Sequence, residues 1–348
     1  MADFRNGGDR FGRHRVVEPQ GSLPQAATKL DNSLPIYENE ILIDVGTLNI
    51  DSASFRQMRE QYKDDPEEIA KQVTENVHKM GKQQNPVTGS GGMLLGKVAK
   101  LGPKYTNTLG LKEGDNVCTL VSLTLTPLII EKITKVHMSE QIDIDGNAVL
   151  FDSGVLAKVP NDIDLKVTLA LLDVAGAAPQ AARLATKGQR ILVIGSGKSG
   201  ILCAAAIRKL FGGDVTIIGS STRQTSVDKF LETGLLDSAF VANALEPSSM
   251  YDKASEATDG KMFDLVINNA NVVGTELASV LACRQGGKVY FFNMATNFQK
   301  AALGAEGIGM DVEMIIGNGY APNHANYTLD LYREMPAVKT WFDERFLK

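Results

Sequence analysis

Apolar and polar positions alternate through ENEILIDV, where Ile41, Ile43 and Val45 fall on one face, the period of a half-buried strand. Residues 55–82 (FRQMREQYKDDPEEIAKQVTENVHKMGK) change to a charged, helical pattern, and Pro66 behind Asp64 and Asp65 marks a helix start. That helix pair reads as a solvated face or a subunit contact. MLLGKVAKLG, NVCTLVSLTLTPLII, AVLF and VLAKV then alternate short strands with Gly and Asp turns. Together they predict an all-β, barrel-like first domain. Residues 1–35 are polar, without sustained periodicity, and read as an arm draped on that body.

The pattern changes after Pro160. LKVTLALLDVAGAAPQAARLA reads as one apolar, Ala-rich helix ending near Lys187-Gly188. Beyond it come ILVIG, VTIIG, FDLVI, KVYFF and VEMIIG, continuous apolar runs separated by helical segments. Such runs are strands buried on both faces, so a doubly wound parallel sheet is expected. The predicted organisation is α/β overall: a domain over 1–160, a dinucleotide-binding domain over 161–320, and a segment 321–348 packing back toward the first domain.

Composition narrows this picture only slightly. A chain of 348 residues with 43% hydrophobic and 22% charged residues suits two globular domains. The formal net charge of −5 offers no basic field for nucleic acid and fits a cationic substrate better. Three dispersed cysteines, Cys118, Cys203 and Cys283, suit free thiols in a reducing compartment. The N-terminus lacks the apolar stretch of a signal peptide, and no apolar run approaches a membrane span. A cytoplasmic protein without nucleic-acid or membrane partners is expected.

The strongest motif is Gly195-Ser-Gly197-Lys-Ser-Gly200, placed between the strand Ile191–Ile194 and a helix opening at Ile201. That strand–turn–helix context is what a dinucleotide site requires. Gly195 would permit the tight turn, Gly197 the approach of a pyrophosphate, and Gly200 the packing of helix on strand. The phosphates would sit on free N–H groups around Lys198 and Ser199. GSGKS also resembles the end of a Walker A loop, but the position that needs a further glycine holds Leu192, inside a strand. At the end of the next strand stand Ser220, Ser221 and Arg223, with no carboxylate to accept from a ribose 2′-hydroxyl. Serines and an arginine can hold a 2′-phosphate, so NADP is favoured over NAD.

With both halves read, the chain resembles the medium-chain dehydrogenase/reductase superfamily. The resemblance rests on ENEILIDVGTLNIDSASF as first barrel strand and active-site loop, GGMLLGKVAKLG as glycine-rich strand pair, GLKEGDNVCTL as turn, and the 163–188 helix. Within it the chain is most similar to the L-erythro-3,5-diaminohexanoate dehydrogenases, including the charged insertion at 55–85 and FDLVINNANVVGTE. The resemblance implies a GroES-like β-barrel followed by a Rossmann domain, and oxidative deamination of a diamino acid. Where zinc-containing members carry a cysteine ligand this chain has Asn49; for Gly-His-Glu it has Ser90-Gly-Gly-Met93; near the third ligand it has Ala175. No metal site can be assembled, so metal-free hydride chemistry is expected.

That chemistry needs a base for the ammonium proton and anchors for a zwitterion. Asp173, inside the apolar LALLDVAGAA, and Asp51, in the active-site loop, are the candidate acids, with Asn49 as a hydrogen-bonding group. Asn269, with Asn268 and Asn271, is expected by the nicotinamide ribose, and Asn293 and Met294 by the carboxamide. The last strand, VEMIIGNG, is apolar enough to pair two subunits, so a homodimer is expected. Two alternatives stay open at this point: a zinc-independent enone or quinone reductase, and a dinucleotide-binding protein without catalysis.

Overall fold

The alternating and continuous apolar patterns correspond to two sheets of different kind. In the computed structural model, which describes residues 3–347, the chain divides into two compact units at Ile163/Asp164.

The first unit opens with the short strands β1 (Val16–Glu18) and β2 (Lys29–Leu30), which pair with each other. Then follow β3 (Glu40–Asn49), α1 (Ser52–Tyr62), α2 (Pro66–Met80), β4 (Met93–Leu101), β5 (Asn116–Thr119), β6 (Leu128–Val136), β7 (Gln141–Phe151) and β8 (Leu156–Lys158). The six strands from β3 to β8 form one antiparallel sheet in the order β6-β7-β3-β4-β5-β8. Ile41, Ile43 and Val45 are buried, as their alternation requires. Pro66 begins α2, and the Asp65 carboxylate caps it by accepting from the N–H of Glu67. The two helices are more than a solvated face. Phe55, Met58, Ile69, Val73 and Val77 are buried in the same core as the sheet residues, and each such side chain contributes about 1.5–3 kcal/mol.

The N-terminal arm is tied down by charge. Arg15 donates twice to Glu40 (2.8 and 2.7 Å) and once each to the carbonyls of Asp31 and Ser33. His14 and the N–H of Tyr37 complete the Glu40 carboxylate. A segment whose buried anchors are charged shows no apolar period, which is why it reads as a loose arm.

The second unit contains α3 (Leu165–Leu172), α4 (Ala177–Leu184), β9 (Arg190–Ile194), α5 (Lys198–Phe211), β10 (Thr216–Ser221), α6 (Gln224–Glu232), β11 (Ser238–Val241), α7 (Pro247–Ala257) and β12 (Phe263–Asn268). It continues with α8 (Glu276–Ala282), β13 (Cys283–Phe291), α9 (Phe298–Gly307), β14 (Glu313–Ile316), α10 (His324–Glu334) and α11 (Pro336–Phe346). Its sheet is parallel throughout, in the order β11-β10-β9-β12-β13-β14. The order reverses between β9 and β12, the switch point at which such sheets bind ligands.

One expected element is corrected. The helix predicted across 163–188 is broken: α3 stops at Leu172, and α4 starts at Ala177. Gly176, just before α4, is closely approached by another stretch of backbone. A Cβ on Gly176 would lie 2.2 Å from the carbonyl oxygen of Gly319. The C-terminal residues, expected to reach back toward the first domain, form α10 and α11, which pack on α3, α4 and α5 of their own unit.

Candidate functional site

The glycine-rich turn has the geometry of an anion cradle. Gly195 follows β9 with φ +97°, a region side chains rarely adopt, and its N–H donates to the carbonyl of Ser220 (2.9 Å). A Cβ on Gly200 would lie 1.9 Å from the Gly195 carbonyl oxygen, so α5 could not close on the strand with any other residue. Gly197 caps α5 with no side-chain cap, and space around its missing Cβ is open. The first-turn N–H groups therefore form the positive end of the helix dipole with no side-chain oxygen capping them.

Around that turn several expected residues come together. The Ser196 hydroxyl donates to that of Ser221 (3.2 Å), joining the turn to the end of β10. The Ser220 hydroxyl is buried without a partner. Asn269 lies beside Gly195, whose Cβ position is 3.6 Å from the asparagine Cβ, and its N–H donates to Ile194. Its Oδ1 accepts from the thiol of Cys203, which leaves a buried Nδ2 unpartnered. Burial pushes the Cys203 thiol pKa up, so the sulfur keeps the proton that this bond uses. Buried polar groups are normally satisfied. Two orphans beside an uncapped helix end fit a polar ligand with phosphate and ribose groups, as a dinucleotide has.

Asp173 and Lys198 also meet, at 2.6 Å, each about one-fifth exposed. Each charge opposes its own helix: Asp173 caps the C-terminus of α3, and Lys198 opens α5. Their mutual attraction offsets both placements. Ser199 is in the first turn of α5 beside them. Arg223 lies just past β10, exposed, at the unsatisfied start of α6.

Asn293 and Met294 play different parts. The Asn293 Oδ1 accepts from Ala295 N–H (3.0 Å) and the Thr296 hydroxyl (2.9 Å), while Nδ2 donates to the Asn268 carbonyl. It shapes the loop after β13 with its own side chain engaged. Met294 at that loop is 86% exposed. Asn268 is a buried knot, donating to Thr275 and Ser279 and accepting from Ala270 N–H. Asn268, expected by the ribose, is thus engaged within its own segment, whereas Cys203 carries no motif because its partner Asn269 lies 66 positions on.

In the first unit, Asn49 ends β3, buried, between Met93 of β4 and Gln141 of β7. Asp51 caps α1: one carboxylate oxygen accepts from Ser54 N–H (2.9 Å), and the other is buried without a partner. A Cβ on Gly92 would lie 2.1 Å from the Asn49 carbonyl oxygen and 2.9 Å from Asp51 nitrogen. Among the described residues no group of three or more His, Cys, Asp or Glu gathers as a metal site would need. No helix among them is long and apolar enough to cross a membrane.

The N-terminal domain family of L-erythro-3,5-diaminohexanoate dehydrogenase matches residues 14–160. Two curated relatives bear that enzyme's name. The one from Acetoanaerobium sticklandii is 47% identical over 98% of this chain and 99% of its own. The one from Fusobacterium nucleatum is 45% identical, again over 98% of this chain and 99% of its own. Among solved structures, an alcohol dehydrogenase from Thermus sp. ATN1 superposes with a TM-score of 0.55, covering 90% of this chain and 88% of its own at 14% identity. That likeness is one of fold: a GroES-like domain followed by a Rossmann domain.

Proposed function

The chain belongs to the L-erythro-3,5-diaminohexanoate dehydrogenase family, and from that premise we propose how its own residues carry the reaction. It is an oxidoreductase that converts L-erythro-3,5-diaminohexanoate, water and an oxidised nicotinamide dinucleotide to 5-amino-3-oxohexanoate, ammonium, a proton and the reduced dinucleotide. The carrying observation is near-full-length identity of 47% to a protein of that name.

When bound, the dinucleotide supplies the acceptor for the hydride leaving C3. Its pyrophosphate belongs on the first-turn N–H groups of α5, with Gly195, Gly197, Ser199 and Gly200 giving it room and Lys198 giving it charge. Ser196 and Ser221 line the adenosine ribose side, and the Nδ2 of Asn269 is the donor left for the second ribose. NADP is the preferred form in this reading. Ser220, Ser221 and Arg223 stand at the end of β10, where an acid would repel a 2′-phosphate.

Of the two candidate acids, Asp51 is the base. Its second carboxylate oxygen has no protein partner, whereas the Asp173 carboxylate is engaged by Lys198. Asp51 takes a proton from the C3 ammonium, so that a nitrogen lone pair can stabilise the cation formed as hydride departs. Water then adds at C3 and ammonia leaves. Asn49, two residues away, orients the amine. We read the chemistry as metal-free, since the superfamily resemblance sets Asn49, Ser90-Gly-Gly-Met93 and Ala175 where zinc-containing members carry ligands. We read the assembly as a homodimer through β14, the sheet's edge strand, whose Ile316 is 61% exposed. Buried free thiols support a cytoplasmic setting.

The test is absorbance at the reduced-nicotinamide band with the purified protein, L-erythro-3,5-diaminohexanoate, and NAD or NADP. Growth of the band with equimolar ammonium is the expected result, faster with NADP. A flat trace with both cofactors, in protein shown to bind one of them, overturns the substrate.

A further inference from the structure

Gln83 has been flagged by no motif, yet its side chain is the least satisfied polar group in the first unit. It is fully buried, and neither Oε1 nor Nε2 has a hydrogen-bond partner. Among the described residues it alone has both ends of a carboxamide orphaned. A buried amide in that condition destabilises the free protein, so its retention calls for an occupant.

Its place in the fold says where the occupant sits. A Cβ on Gly91 would lie 2.6 Å from the main-chain carbonyl oxygen of Gln83 and 2.9 Å from the main-chain nitrogen of Thr124. The next residue, Gly92, is packed just as closely against Asn49 and Asp51. The Gly91-Gly92 corner is thus walled by the backbone of Asn49–Asp51 on one side and by the backbone of Gln83 and Thr124 on the other, and the orphaned side chains of Asp51 and Gln83 branch from those two walls. On the Asp51 wall the orphaned atom is one carboxylate oxygen. The neighbouring Lys82 supplies no partner to either, since its ammonium donates to the carbonyls of Pro24 and Thr124.

We propose that Gln83 is a substrate-binding residue, whose Oε1 accepts from an ammonium of the diamino acid while its Nε2 donates to the carboxylate. The chemistry of the amide selects this class of ligand: one end needs a donor and the other an acceptor. A zwitterion offers both, and an enone offers only acceptors. With Asp51 as a second acceptor, the corner holds two N–H-bearing groups and one carboxylate. This inference rests on the diamino-acid reading above.

The test compares the full-length protein with Gln83→Met, which keeps the length and removes the hydrogen bonds. Expected are a KM for the diamino acid raised at least tenfold, a kcat within about threefold, an unchanged KM for the dinucleotide, and a higher melting temperature of the ligand-free protein. An unchanged substrate KM in the variant overturns the role of Gln83 while leaving the reaction itself standing. Loss of turnover in the unmodified protein would instead strike the diamino-acid reading. Should the variant fail to fold, a crystal structure of the unmodified protein with the diamino acid decides. An ammonium or carboxylate of the ligand within about 3.2 Å of the amide supports the proposal; an ordered water alone there sinks it.

Discussion

Two ion pairs, one in each unit, have opposite characters. Arg15–Glu40 is wholly buried, bidentate, and saturated by His14, Tyr37, Asp31 and Ser33. Lys198–Asp173 meets at 2.6 Å, keeps about one-fifth of each side chain exposed, and sets both charges against their helix dipoles. A pair that serves the fold uses every donor and acceptor it has, because any left over would be a loss without return. A pair that stays partly exposed can still be reached by an anionic ligand. The comparison predicts that damage to the first lowers stability and spares binding, and that damage to the second does the reverse.

The largest effect belongs to Arg15→Met, which leaves Glu40 buried without its counter-charge. About 3–5 kcal/mol of unfolding free energy should be lost in urea titrations, with cofactor affinity of the folded fraction unchanged. The same pair sets acid sensitivity. Burial disfavours the Glu40 carboxylate, but hydrogen bonds from Arg15 and His14 outweigh it and hold its pKa below the usual value. A depressed carboxyl pKa contributes stability above the unfolded value, and that stability is lost as pH falls through the folded value. The variant should therefore lose the part of the acid transition that Glu40 supplies.

Lys82 sharpens the comparison from inside the first unit, as a buried cation with no counter-charge. Desolvation pushes its pKa down from 10.5 to about 8. Between those values the unfolded chain binds more protons than the folded one, so stability should rise with pH from about 8 to about 10.5. A shift of that size corresponds to about 3 kcal/mol. Lys82→Met should remove that slope in melts across this range. An identical slope in both proteins would locate the titration elsewhere.

How far these features could be read from the chain depends on how far apart their parts lie. The strand, glycine turn and helix at Arg190–Phe211 are contiguous, so local spacing carries both the element and its use. Pro66 and Asp65 likewise announce α2 from adjacent positions. The close approach of backbone at Gly176, beside the break between α3 and α4, is not legible, since Gly319 lies far along the chain. Asp173 was singled out as an acid in an apolar run, but its partner Lys198, 25 positions on, appears only in three dimensions. Gln83 carries no local signal at all; what marks it is the absence of partners, which no spacing records.

In the second unit Lys198→Met should cost dinucleotide affinity about tenfold to a hundredfold, about 1.4–2.8 kcal/mol, by titration calorimetry. Its stability should change by less than about 1 kcal/mol, the range of partly exposed pairs. Asp173→Asn separates charge from tether. If the carboxylate serves to aim Lys198, affinity falls with this variant as well. If Asp173 is an idle neighbour, removing its negative charge strengthens the binding of the anionic cofactor.

The smallest expected effect concerns Arg223, and it asks whether the reserve of charge extends beyond the turn. Its side chain is exposed and α6 begins there uncapped, so nothing in the fold depends on it. Against a 2′-phosphate an exposed guanidinium contributes about 1.4 kcal/mol, a tenfold change in dissociation constant. Arg223→Ala should weaken NADP by about that factor and leave NAD within twofold, while the melting temperature stays put. Equal losses for both dinucleotides would mean that Arg223 supports α6 or the pyrophosphate rather than the 2′-phosphate. The discrimination would then pass to Ser220 and Ser221, whose hydroxyls are at the end of the same strand. A change in melting temperature would make Arg223 a structural charge after all, and the contrast between buried and accessible charge would stop at the glycine turn.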